Sequence, residues 1–231
     1  MKKEMMKKRK FVAITGTDGS GKATQLKLLS SHLKRKGYRV STIDFPGYQR
    51  NFFGKVVGKY LRGEFGKASE VSPYLASMLY AADRFEDAKR IRRWLSEGRI
   101  VIADRYASDN QIHQGGKIMN AAKRKEFLDW LEEMEFKIFK IPRPDAIVYL
   151  DVPLEITQKL LAEKSSQDKK DYLAGKKDIH ESDSEHLINA KANAIELVKK
   201  TNKWIRINCA PDGEILLKEE ITNLILKALK F

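Results

Sequence analysis

The residues best suited to chemistry open with GTDGSGKAT, where Gly16, Thr17, Asp18, Gly19, Ser20, Gly21, Lys22, Ala23 and Thr24 follow a short apolar run. Gly16, Gly21 and Lys22 fit the spacing G-x-x-x-x-G-K. Backbone N–H groups in such a loop point inward and, with the N-terminus of the helix that follows, make a cradle for anions. Lys22 adds a point charge for β- and γ-phosphates. The usual pattern continues with a hydroxyl that touches magnesium, yet position 23 is alanine and Thr24 comes one step late. The metal must then be held differently, through water from a nearby carboxylate. Asp18 inside the loop and Asp104 after another apolar run are the candidates, although an aspartate at a strand end also commonly caps the next helix.

Arg105 follows Asp104, and Arg84 lies in the segment AADRFEDAKR. A planar guanidinium suits a phosphate or a base carbonyl better than an ammonium does. Arg84 could equally form an exposed ion pair with Glu86 or Asp87. Tyr80, four residues before Arg84, shares its helix face and is either a core residue or a platform for a base.

These residues need a scaffold, and apolar patterning supplies one. Strands are expected over residues 10–15 (KFVAIT), 38–45 (YRVSTIDF), 99–103 (RIVIA), 146–150 (AIVYL) and 204–207 (WIRI). Helical spacing covers residues 23–35, 53–62, 73–97, a stretch from 107 with 122–139 the clearest part, then 154–163, 185–201 and 213–229. Five strands alternating with helices specify an α/β fold, a parallel sheet with helices on both faces. The carboxyl ends of its strands, where the loop and Asp104 fall, are where such sheets bind ligands. The polar, lysine-rich stretch 164–184 reads either as a disordered surface loop or as a mobile lid that closes over phosphates. No repeat and no Pro-, Gly- or Ser-rich linker divides the chain, so residues 1–231 are expected to form a single domain.

Composition narrows the function classes. The 231 residues are 42% hydrophobic, enough to bury one sizeable core. One cysteine, Cys209, excludes an internal disulfide framework and fits a reducing compartment. No run approaches the ~18 apolar residues of a membrane span. The basic start lacks the apolar stretch of a signal peptide, so a cytoplasmic protein without membrane contact is expected. The net charge of +14 permits an anionic partner. The lysines are scattered, however, with few aromatics between them, and nucleic acid is not the expected partner.

With these residues in view, the chain resembles the thymidylate kinases, P-loop NTPase-fold enzymes that move the γ-phosphate of ATP onto dTMP. The resemblance is carried by GTDGSGKAT, DFPGY, SMLYAADRFE, DRYASDNQIHQGG and PDAIVYLDVPLEI, in that order. It implies a P-loop at 16–24, an acceptor-binding segment at about 45–85 and a lid at about 164–184. It further implies that Lys22 and the loop amides hold the phosphates of ATP, and that Asp18 meets the sugar 3′-hydroxyl near the metal. Phe45 falls in the acceptor segment, Tyr80 matches the aromatic that stacks on thymine, and Arg84 matches the arginine that meets the base. Arg105 would clamp the acceptor phosphate while Asp104 organises Mg2+ through water. Asn110, His113 and Gln114 match the lining of the nucleoside pocket. Related kinases can carry a non-hydroxyl residue after the lysine with threonine next, so Ala23-Thr24 resembles an intact loop. A homodimer is the family's habit.

The chain also departs from the family pattern. Gly47 and Tyr48 stand where an arginine usually follows Phe-Pro, with only Arg50 near. Asp109 takes a position usually held by serine. Gly19 leaves the loop without a basic residue, which in this family usually means that the lid supplies one, yet 164–184 holds lysines and no arginine. Two other readings stay open: a kinase of another nucleoside or nucleoside monophosphate, and a catalytically weak nucleotide- or nucleic-acid-binding module. Asp104-Arg105-Tyr106, in place of Glu-Arg-Ser, counts against a deoxynucleoside kinase.

Overall fold

A computed structural model describes residues 10–67, 70–165, 184–200 and 203–231. The expected lid, 164–184, falls almost wholly outside these, and its side chains entirely so. Five strands, β1 (Lys10–Thr15), β2 (Val40–Asp44), β3 (Ile100–Asp104), β4 (Ala146–Asp151) and β5 (Trp204–Asn208), form one parallel sheet in the order β2-β3-β1-β4-β5. β1 thus lies at the centre, next to β3, and in register Ile14 faces Asp104, which in turn faces Asp44. The end of β1 and the end of β3 are thereby fixed side by side.

Strand pleating divides the core. Val12, Ile14, Ile100 and Ile102 point to one face, where they meet Leu29 and Leu33 of α1 (Lys22–Arg35) and Ile221 and Ile225 of α7 (Lys218–Ala228). Phe11, Ala13, Val101 and Ala103 point to the other, against Ala88 and Ile91 of α3 (Pro73–Ser96). Alternate residues of β1 and β3 are apolar on both faces, which is why these strands read as continuous hydrophobic runs. The remaining helices are α2 (Phe52–Leu61), α4 (Ala121–Glu132), α5 (Leu154–Ser165) and α6 (Ser184–Lys200). No described helix is long and apolar enough to cross a membrane.

β2 is shorter than the expected 38–45, and three helical elements differ more. The helix expected over 122–139 is α-helical only to Glu132 and continues as a π-helical turn, Glu133–Ile138. The buried Glu135 carboxylate lies in this turn, where it meets Arg84. The stretch beginning at residue 107 is a compound of a helical turn (Ala107–Asp109), a π-helical turn (Asn110–Gln114) and a 3-10 turn (Gly115–Lys117). The last helix begins at Lys218 rather than 213. Leu216 N–H donates to Cys209 O at 2.8 Å, tying the preceding residues back to the end of β5, and Glu220 accepts the Leu217 N–H at 2.9 Å to start the helix there.

The loop from β2 to α2 is built on a buried carboxylate. Asp83 of α3 accepts the Gly47 N–H at 3.1 Å and the Asn51 side-chain amide at 2.7 Å, while Asn51 caps α2 by accepting the Gly54 N–H at 2.7 Å. Burial raises the Asp83 pKa, and these hydrogen bonds offset part of that shift. α2 starts so close under this loop that a Cβ added at Gly54 would lie 2.1 Å from the Gly47 carbonyl oxygen. Gly54→Ala must therefore push the loop off its carboxylate, and unfolding in urea should show a loss of about 1–3 kcal/mol, as for other overpacked sites. Wild-type stability in this variant would contradict the close approach.

Candidate active site

The phosphate-binding loop leaves β1 at Gly16 and enters α1 at Lys22. Gly21 holds a left-handed backbone (φ 85°), open to glycine at no steric cost, and its carbonyl accepts the Gln25 N–H at 2.9 Å to begin α1. Thr17 and Ser20 are buried, so they offer the site their backbone rather than their side chains. Ala23 is exposed and lines the cavity described below, and Thr24 is half-buried beside it. Gly19 packs beneath α5: a Cβ there would stand 2.5 Å from the Thr157 carbonyl oxygen.

Lys22 is folded back onto its own loop. Its ammonium donates to Gly16 O at 3.0 Å and Thr17 O at 2.8 Å and sits 3.6 Å from the Asp18 carboxylate. Burial, helped by the nearby Arg105 charge, lowers its pKa, and Asp18, Asp104 and Asp109 pull it the other way.

Arg105 occupies the junction of β1 and β3. Its backbone is left-handed (φ 63°), and its N–H donates to Ile14 O at 2.9 Å. The side chain ion-pairs with Asp18 of the loop and, at 3.0 Å, with Asp109. Burial works against its charge, but Asp18, Asp109 and Asp104 outweigh that and hold its pKa well above the ordinary value. Asp109 also accepts the Tyr106 N–H at 3.1 Å, so the departure from serine adds a carboxylate that both caps the turn and grips Arg105.

Asp104 does not cap a helix, since Asp109 fills that role. Its Oδ1 is buried and accepts no hydrogen bond among the described residues. Burial raises its pKa, with Lys22 and Arg105 acting in opposition. A buried carboxylate oxygen left without a donor fits a group that brings its own protons or charge, such as a hydrated magnesium ion. Among the described residues no three His, Cys, Asp or Glu side chains are grouped so as to hold a metal ion.

These groups line one part of a cavity of about 440 Å³, and Tyr80, Arg84, Asn110, His113, Gln114 and Phe45 are among its other lining residues. Tyr80 is half-buried, its ring edge-on to Tyr60 at 6.1 Å, so it belongs to both core and cavity wall. Arg84 pairs with neither Glu86 nor Asp87. It is 2% exposed, and its Nε and Nη2 each donate at 2.8 Å to the two oxygens of Glu135. Asp87 instead holds Arg50 at 2.8 Å, and Arg50 is tied as well to Asp44 at 2.9 Å. The arginine nearest the missing phosphate clamp is thus already engaged. His113 stacks on His186 of α6 at 5.6 Å; burial, with His186 second, keeps its pKa well below the ordinary value and the ring neutral. Gln114 is 1% exposed with Oε1 unpartnered among the described residues.

The structure brings the expected residues Asp18, Lys22, Asp104, Arg105, Phe45, Tyr80, Arg84, Asn110, His113 and Gln114 together around this cavity. Sequence reasoning misses Glu135 and Asp83. Each is one acid among several in a charged helical stretch, and only contacts 51 and 36 residues away along the chain set it apart.

The family model described as Thymidylate kinase matches residues 14–221. The chain is 31% identical over 165 residues to a probable thymidylate kinase of Pyrobaculum aerophilum, covering 71% of this chain and 76% of that protein. It is 32% identical over 169 residues to a probable thymidylate kinase of Thermococcus onnurineus, covering 71% and 77%. The solved thymidylate kinase of Candida albicans shares the fold, with a TM-score of 0.71 over 96% of this chain and 91% of that one at 20% identity. A family match that runs over residues 14–221, and so includes the loop and the Asp104-Arg105 turn, leaves one assignment: the chain belongs to the thymidylate kinase family.

Proposed function

We infer that the protein transfers the γ-phosphoryl group of ATP to dTMP, giving ADP and dTDP. The observation that carries this reading is a single cavity with two unlike ends. One end gathers the glycine loop, Lys22 and Arg105; the other presents an aromatic face and a fixed guanidinium. A nucleoside monophosphate has the same polarity, with a phosphate at one end and a base at the other.

The roles are those that the resemblance implies, and the chemistry of each group suits them. The loop amides and Lys22 bind the β- and γ-phosphates of ATP. The third N–H of Lys22 is available to them while the other two stay on Gly16 and Thr17. Arg105 binds the acceptor phosphate, whose oxygen attacks Pγ as the bond to the β,γ-bridging oxygen of ADP breaks. Asp18, already paired to Arg105, turns to the sugar 3′-hydroxyl. Tyr80 and Phe45 flank the base, Arg84 donates to its carbonyl, and Asn110, His113 and Gln114 complete the nucleoside wall. Asp104 would hold Mg2+ through water, where the ion would supply positive charge to the phosphates. Catalysis of this kind is positioning plus preorganised charge rather than covalent chemistry.

Residues 1–231 are read as one domain, and a cytoplasmic location accords with the buried, lone Cys209 thiol. A homodimer is favoured by an apolar stripe on α3: Leu75, Met78 and Phe85 are 61%, 47% and 51% exposed on one helix face, with Phe52 of α2 at 66%. Such a row on a solvated helix marks an interaction surface.

Release of ADP should be measured with dTMP, dUMP, UMP, CMP, AMP and GMP as acceptors. dTMP is expected to be best and dUMP poorer but used, because one methyl group in an apolar pocket discriminates by only about 1–3 kcal/mol. Equal or better turnover of CMP or AMP would refute the assignment.

Asp104→Asn separates function from stability. A carboxyl whose pKa is raised by folding binds its proton more tightly in the native state. The charged form therefore costs stability above that pKa, and the cost fades as pH falls through it. In magnesium-free buffer at neutral pH the variant should melt no lower than wild type, and any advantage should shrink on acidification. Its kcat should nonetheless fall by ~10²–10³, the usual loss for one preorganised charge. A variant that loses stability but keeps its kcat would make Asp104 a structural residue.

Sedimentation should show wild-type dimers and monomers for Leu75→Glu/Phe85→Glu. A monomeric wild type would rule out the stripe as a dimer face.

A further inference from the structure

Arg84 and Asn110 both face the cavity, yet neither is free to choose which atoms it presents. Glu135, 1% exposed and set in the π-helical turn after α4, controls both. Its Oε2 accepts Arg84 Nε and its Oε1 accepts Arg84 Nη2, each at 2.8 Å, and the same Oε1 accepts the Asn110 side-chain amide at 3.1 Å. The second Asn110 amide proton goes to Ser77 O at 3.1 Å. Both partners of the Asn110 nitrogen, a carboxylate and a carbonyl, are acceptors only. The amide therefore cannot be reversed without setting oxygen against oxygen. Two atoms are left without partners among the described residues: Nη1 of Arg84, a donor, and Oδ1 of Asn110, an acceptor.

We propose that Glu135 is a positioning residue: by holding Arg84 and Asn110 it keeps this one donor and one acceptor turned to the edge of the acceptor base. The proposal rests on the reading of the cavity as the acceptor-nucleotide pocket. A thymine O4 accepts from Nη1 and its N3–H donates to Oδ1. Cytosine offers an amine and an unprotonated nitrogen at the same places, which puts donor against donor and acceptor against acceptor. Discrimination then comes from buried groups left unpaired by the wrong base, a stronger filter than pocket size. Glu135 touches no ligand itself; it acts by holding Arg84 and Asn110.

Glu135→Gln keeps the shape but offers one oxygen and one amide nitrogen. If the nitrogen takes the place of Oε1, it meets the Asn110 amide and Arg84 Nη2 donor against donor and both must shift; if it takes the place of Oε2, the Arg84 fork must swing. Either change loosens the pattern. The expected result is a rise in the KM for dTMP of about ten- to hundredfold, an unchanged KM for ATP, and a fall of similar size in the ratio of kcat/KM for dTMP to that for dCMP. Asn110→Ala removes the acceptor without leaving a buried charge unpaired, and it should lower the same ratio if Glu135→Gln does not fold. A folded Glu135→Gln with the wild-type ratio, or an Asn110→Ala with the wild-type ratio, overturns the role assigned to Glu135 while dTMP kinase activity stands. A wild-type protein that prefers dCMP overturns that role and the proposed function together.

Discussion

The grip of two carboxylates on Arg105 is the constraint on which the site depends. Arg105 sits where β3 gives way to the helical turn, in a left-handed backbone that costs a non-glycine residue free energy. Its N–H extends the β1–β3 pairing to Ile14 O, and its guanidinium reaches back to the loop through Asp18. One residue thus ties the end of the central strand, the end of its neighbour and the phosphate loop into one unit. Asp109, through the Tyr106 N–H and the Arg105 guanidinium together, keeps the strained turn from relaxing.

The local charge balance differs in sign from that of the whole chain. Among the described residues around the phosphate end, Asp18, Asp104 and Asp109 oppose Lys22 and Arg105, three carboxylates against two cations, whereas the protein carries +14. The distant lysines can raise the local concentration of anionic substrates. The site itself is tuned for something else: each cation is held by neighbours that preorganise it, and one carboxylate oxygen is left without a donor. Buried polar groups left in this way cost stability, and proteins tend to retain them where a ligand completes the set.

Much of this was legible in the sequence because it is local. The expected bounds of β1 are those observed, since an apolar run of six residues ends directly in the glycines. β3 and β4 each end one residue beyond the expected bound; the P-loop and the shared face of Tyr80 and Arg84 follow from spacing, whereas the roles of Asp104 and Arg105 come from the resemblance. What could not be read is non-local. Nothing near Arg84 distinguishes Glu135 from Glu86, and an isolated helical pattern gives no reason for the wide turn that carries Glu135 inward. The late start of α7 likewise depends on a hydrogen bond back to Cys209, and the compound turns from 107 to 117 obey no single helical period.

The contact between Gly19 and α5 has a bearing on how such loops diverge. With the Thr157 carbonyl oxygen 2.5 Å from any Cβ at position 19, and Leu161 beside it, the loop has no room for a side chain there, whatever its charge. The absence of a basic residue is therefore set by where a helix lies some 140 residues further along the chain. Loop sequence and helix placement form one heritable unit. A loop bearing arginine at this position could not be transplanted into this scaffold alone; it would have to arrive with a helix seated further from the phosphates.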